Sequence, residues 1–216
     1  MFAVSQLTKL VAHRHGVADY VQAGLVFVSV TWIYSAYLWL TNNPKLENSE
    51  LERWNLMLGM FCFFGMAVGI PLLAKGNGAL LAFSLLAAVV VHFLTFGRIR
   101  NVSTAAYDRL APYAFATSLL IIFAVFAPEP WRWVLWGLAM LTLFFPAARR
   151  GFEHFAVELR ARHFVERHGL MLIIALGEGV IALGAGASEQ GFSTGLAGVV
   201  LTGIMLLGAL WWVYSA

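Results

Sequence analysis

Glu178 is the residue whose type and position most need a chemical explanation. It lies mid-way along GLMLIIALGEGVIALGAGA, residues 169–187, an otherwise apolar stretch. An ionisable side chain at the centre of such a stretch in a membrane costs about 2.5–3.5 kcal/mol on insertion scales, so it is expected to face protein or a water-filled cavity. At helical spacing its neighbours are Ala175, Ala182 and Ala185, with Gly179 and Gly186 alongside. Small residues on one face let another helix come close, which points Glu178 inward. The chemistry available there is that of a protonatable group or a cation ligand on a pathway. The alternative is a hydrogen-bonded glutamic acid that only fixes helix packing.

Other polar groups in apolar surroundings are weaker candidates for the same pathway. Gln6 follows Phe-Ala-Val-Ser, and Thr31, Tyr34 and Ser35 form a stripe with Leu38 and Trp32 beside it. His92 falls in register with Ser84 and Ala88, where one imidazole could relay protons or simply sit satisfied in the interior. The segment His163-Phe-Val-Glu166-Arg167-His168-Gly169 opens the Glu178 stretch. Glu166 suits a helix N-terminus and Arg167 can reach the interface, so both have structural reasons besides a role in a gate. Lysine occurs only at 9, 45 and 75, which leaves no late-helix amine for a retinal Schiff base. His92 has no visible mate for a bis-histidine haem, and Cys62 has no CxxC partner. There is no HExxH, phosphate loop or GxSxG elbow. No catalytic residue, metal site or cofactor is therefore expected, and the chain does not read as an enzyme.

The elements that must hold these residues follow from composition. Of 216 residues 61% are apolar and 12% charged, against about half and a quarter in soluble domains. That excludes a soluble globular domain and predicts an all-α, polytopic transmembrane bundle. The net charge of +3 is modest, with the basic residues beside apolar segments, which argues against nucleic acid as a partner. About 20 apolar residues cross a bilayer, and the sequence offers seven full spans at 22–40, 54–74, 79–97, 111–127, 131–147, 169–187 and 195–214. Residues 1–12 are too short to cross and read as the second half of a truncated helix. Ten basic residues (Lys45, Arg53, Arg98, Arg100, Arg109, Arg149, Arg150, Arg160, Arg162 and Arg167) fall on one side of this arrangement, against Lys9, Arg14, Lys75 and Arg132 on the other. The positive-inside rule then makes loops 41–53, 98–110 and 148–168 cytoplasmic in a bacterial inner membrane. Within 149–168, Phe152, Phe155, Ala156 and Leu159 recur at helical spacing, as in an amphipathic helix lying on the inner leaflet.

Two segments 180 positions apart read alike. Val30-Thr31-Trp32-Ile33-Tyr34-Ser35-Ala36 and Leu210-Trp211-Trp212-Val213-Tyr214-Ser215-Ala216 share Trp, Tyr, Ser and Ala, and each follows a helix with a polar residue in an apolar setting, Gln6 or Glu178. Six helices separate the copies, so both cross in one direction, as parallel repeats do. On this reading 1–148 is a first six-helix repeat, 149–168 a linker and 169–216 the start of a second, all within one transmembrane domain.

The stretch HFVERHGLMLIIALGEGVIALGAGA resembles the bacterial low temperature requirement protein A family, through His163, Glu166, Arg167, Gly169, Leu170, Leu176, Gly177 and Glu178. LWWVY at 210–214 is similar to that family's Leu-Trp-Trp-hydrophobic-Tyr, and FAVSQLTKLVAH to the stretch after its acidic, Phe-rich opening, which this chain does not contain. His168 stands where the family more often has an aromatic residue. The resemblance implies a multi-pass bacterial membrane protein and supplies no substrate, since the family name describes growth in the cold. The leading expectation is a proton- or cation-coupled transporter, with the lipid bilayer and a small ion or solute as partners. The alternative is a non-transporting scaffold or sensor that supports growth at low temperature.

Overall fold

The computed structural model describes residues 3, 5–8, 16–42, 50–98, 104–150, 161–190 and 193–215, and side chains at most of these. Seven long helices follow a short helical stretch at 5–8: α1 (Val17–Thr41), α2 (Glu50–Ala74), α3 (Ala79–Phe96), α4 (Thr104–Phe126), α5 (Trp131–Arg150), α6 (Ala161–Gln190) and α7 (Thr194–Ser215). No strand occurs among the described residues. Each expected span falls on one helix, but several helices run further. Glu50 and Glu52 occupy the first turn of α2, where acidic groups complement the helix dipole, so 50–53 are helix where a loop was expected. In the same way α4 takes in 104–110 and α6 takes in 161–168. The expected amphipathic helix at the inner leaflet rests on Phe152, Phe155, Ala156 and Leu159, which lie outside the described residues.

Five helical segments among the described residues are long and apolar enough to cross a membrane: Asp19–Thr41, Glu50–Ala74, Ala79–Phe96, Val165–Ser188 and Thr194–Tyr214. The apolar part of α4, Leu110–Phe126, is shorter. The outward faces fit lipid. Phe61, Phe64, Phe123 and Trp212 are 68%, 62%, 66% and 74% exposed, an apolar covering that water would not tolerate over so large an area. Together these observations make the chain a membrane protein.

The most extensive helix–helix contact joins α2 and α3, and small residues explain it. A Cβ on Gly69 would lie 2.6 Å from the Leu81 backbone nitrogen, and one on Gly65 would collide with the Ser84 hydroxyl. The two helices turn through Lys75–Gly78, where Gly76 takes φ +88°, a conformation open to glycine. α4 and α5 pair next, and α1 lies across α3 and α5. Trp136 is fully buried at that crossing. Its indole N–H donates to Ser29 Oγ at 2.9 Å, and Ser29 donates to the Leu25 carbonyl at 2.8 Å. Between α4 and α5 the Thr117 and Thr142 hydroxyls meet at 2.6 Å. Leu7 packs into the same core, which places the N-terminal stretch against the bundle. α6 and α7 form a second pair, joined to the rest through α1.

Candidate functional site

The α6–α7 pair is registered by side chains seated on glycines. Tyr214 lies over Gly169, Leu207 over Gly179, and Leu183 over Gly203; a Cβ at these glycines would come within 2.9, 2.9 and 2.7 Å of them. Tyr214 also donates to the Val165 carbonyl at 3.2 Å. Gly169 of the opening segment and Tyr214 of LWWVY are therefore partners in space, and the reason for a glycine at 169 is the tyrosine hydroxyl above it. Gly177 meets nothing within 4 Å, so it is not part of this seam.

Arg167 fixes the other side of α6. Its guanidinium donates to Thr41 Oγ1 at 2.9 Å, and Thr41 is the last residue of α1. Glu178 lies eleven residues beyond Arg167, close to three full turns at about 3.6 residues per turn, so both side chains leave the helix on the same side. Glu178 therefore lies on the face of α6 that Arg167 occupies. The rise between them is about 16 Å. Counting the same distance back along the antiparallel α1 reaches Val30, flanked by Thr31 and one turn from Tyr34. Tyr34 lies on the Thr41 side of α1, two turns away, within electrostatic range of Arg167. Thr31, Tyr34, Ser35 and Glu178 are all partly exposed. The Arg167–Thr41 bond is the polar contact that ties α6 to α1. Arg53 and Arg98 lie at that same end of the bundle, in the first turn of α2 and just after α3.

The remaining sequence candidates are elsewhere. Gln6 is partly buried on the N-terminal helical stretch. His92 is enclosed within α1–α3, its ring 5.5 Å from Tyr37 and stacked on Phe96 at 5.9 Å and 14°. Phe63 stands edge-on to both Tyr34, at 6.4 Å, and Tyr37, at 5.3 Å, and so lies between Tyr34 and the tyrosine that meets His92. Glu166 is exposed at the start of α6. His163 lies on α6, with its side chain outside the described set. No group of three or more His, Cys, Asp or Glu residues among the described residues could hold a metal ion. An open apolar groove of about 560 Å³ at the far end of α6 and α7, lined by Ala187, Ser188 and Val200 among others, has no ionisable group in its lining.

Sequence reasoning missed Thr41, because a threonine at the end of a span looks like an interfacial residue. It also missed Glu52 and Asn55, which are 6% and 8% exposed. Both lie on the buried face of α2, and nothing local in the sequence signals it.

No solved structure matches the chain. It is 24% identical to an uncharacterized protein of Rhizobium meliloti (strain 1021), RA0937, over 99% of this chain and 55% of that protein. The chain thus spans about half the length of this curated relative. The family model described as bacterial low temperature requirement A protein (LtrA) matches residues 1–215. The chain belongs to the bacterial low temperature requirement A family.

Proposed function

We propose that this chain is part of a proton- or cation-coupled transporter, with Glu178 as the group that takes up and releases the ion. The observation that supports the reading is that Arg167, bonded to Thr41 of α1, and Glu178 lie on one face of α6, eleven residues apart. Intramembrane acids pair with polar partners or line ion routes. In this reading a groove between α1 and α6, bordered by Thr31, Tyr34 and Ser35, is the route and Arg167 with Thr41 is its closure. All seven long helices cross the bilayer, and the arginine-rich end faces the cytoplasm of a bacterial inner membrane. The likeness of 30–36 and 210–216 makes α6 and α7 the start of a second parallel repeat. The proposal assigns the chain no enzymatic role and no cofactor, and takes the bilayer and a small ion or solute as its partners.

The test is flux. Protein reconstituted in liposomes holding a pH-sensitive dye is challenged with an imposed potassium diffusion potential, then with sodium and potassium gradients. The expectation is that Glu178→Gln lowers ion movement at least tenfold while leaving insertion and folding intact. Flux unchanged at every pH would remove Glu178 from the mechanism. The scaffold or sensor alternative predicts a different pattern in cells, in which charge reversal at Arg160 and Arg162 abolishes cold growth and Glu178→Gln does not.

A further inference from the structure

The α1–α3 interior holds two polar atoms that the groove does not use. Asn55 Nδ2 and His92 Nδ1 are buried and have no hydrogen-bond partner among the described residues, and their side chains are 8% and 9% exposed. Roughly nine in ten buried polar atoms are paired. Two orphans in one small region call for a shared explanation.

Register places them together. Gly69 of α2 lies against Leu81 of α3, and counting fourteen residues along each antiparallel helix brings Asn55 opposite Thr95, one turn from His92. Tyr37 of α1 confirms the level independently. Its ring packs onto Gly59, where a Cβ would lie 2.6 Å from it, and stands 5.5 Å from His92. Asn55 is one turn from Gly59 on the same buried face of α2. The side chains around this point have bonding capacity left. Thr95 donates to the Val91 carbonyl at 2.9 Å and Tyr37 to the Ala88 carbonyl at 3.0 Å, so each hydroxyl oxygen can still accept.

We infer that Asn55 and His92 jointly bind one internal water molecule between α1, α2 and α3. The water accepts from the Asn55 amide and bonds His92 Nδ1, with Thr95 or Tyr37 within the same turn as a third partner. That meets the two to four polar partners an internal water needs. Glu52, one turn further along α2, lies on the same buried face. This site stands apart from Glu178, behind the Phe63 ring, and does not depend on the groove reading.

Protein labelled with 15N-histidine and held in lipid bilayers tests this by solid-state NMR with magnetisation transferred from water, the His92 signal being assigned with His92→Gln. The expected result is transfer from water to the His92 ring in the wild type, reduced at least fivefold in Asn55→Leu, with the other five histidines unchanged. Transfer that persists undiminished in Asn55→Leu overturns the shared site. Should Asn55→Leu fail to fold, the wild type alone still decides, because a His92 ring that receives nothing from water overturns the inference.

Discussion

Substituting Gly69 with alanine tests the account of the α2–α3 contact most directly. The added Cβ would lie 2.6 Å from the Leu81 nitrogen and 2.8 Å from its Cα and Cβ. Ordinary contact begins at 3.4 Å, so the helices must part by roughly 0.6–0.8 Å. The obstructing atoms are mainly backbone and cannot rotate away. Leu81 sits in the first turn of α3, where the Ala82 N–H is already bound to the Gly78 carbonyl at 3.1 Å. A gap of that size forfeits about a quarter to a half of the dispersion energy of each atom pair it separates, and overpacking of this kind costs about 1–3 kcal/mol. Against it stands a helix-propensity gain of about 0.5–1 kcal/mol for alanine over glycine. The net expectation is a loss of about 1–2 kcal/mol. Gly24→Ala is the internal control, since nothing lies within 4 Å of its added carbon and only the favourable propensity remains. Reversible unfolding in mixed micelles, or steric trapping in bilayers, should separate the two variants by about 1–3 kcal/mol, the overpacking cost alone, because the propensity gain is common to both. A Gly69→Ala protein as stable as Gly24→Ala would refute the close-approach argument.

Two further substitutions probe the polar contacts. Ser29→Ala removes the acceptor of the buried Trp136 N–H, and leaving that donor unsatisfied should cost about 1–3 kcal/mol, read as lower unfolding stability with a changed tryptophan emission. Gly169→Ala should destabilise the α6–α7 pair because its carbon would press on the Tyr214 hydroxyl at 2.9 Å. In a Tyr214→Phe background, which itself loses about 0.5–1.5 kcal/mol with the bond to Val165, the same change should cost measurably less. A double-mutant cycle that shows simple additivity would deny the pairing.

The helices were legible in the sequence because a run of about 20 apolar residues has few alternatives in a membrane. Their ends were less so. Residues 50–53 and 104–110 contain charges that resemble loop sequence, yet charged residues continue a helix where its end reaches the interface. Glu178 stood out in the sequence as an acid in an apolar run, while the bond that ties its helix to α1, Arg167 to Thr41, joins residues 126 positions apart that no local pattern connects. His92 stood out in the sequence as a polar group in an apolar run, in register with Ser84 and Ala88 on α3. Besides Phe93 and Phe96 of its own helix, its ring meets Tyr37 of α1, and sequence spacing within α3 carries no information about that partner.

The attachment of α6 has a mechanical consequence. Its N-terminal turns are tied to α1 through Arg167, while α7 is seated along its length at Gly169, Gly179 and Leu183. The α6–α7 pair, joined to the rest of the bundle through α1, is a lever held at one end. With Glu178 about 16 Å from that end, a tilt of about 10° carries the carboxylate about 3 Å sideways, roughly one hydrogen-bond length, and swings Gln190 about twice as far. Small adjustments at the Arg167–Thr41 bond are therefore magnified at the acid, and that bond also sets the arc through which this ionisable group can swing.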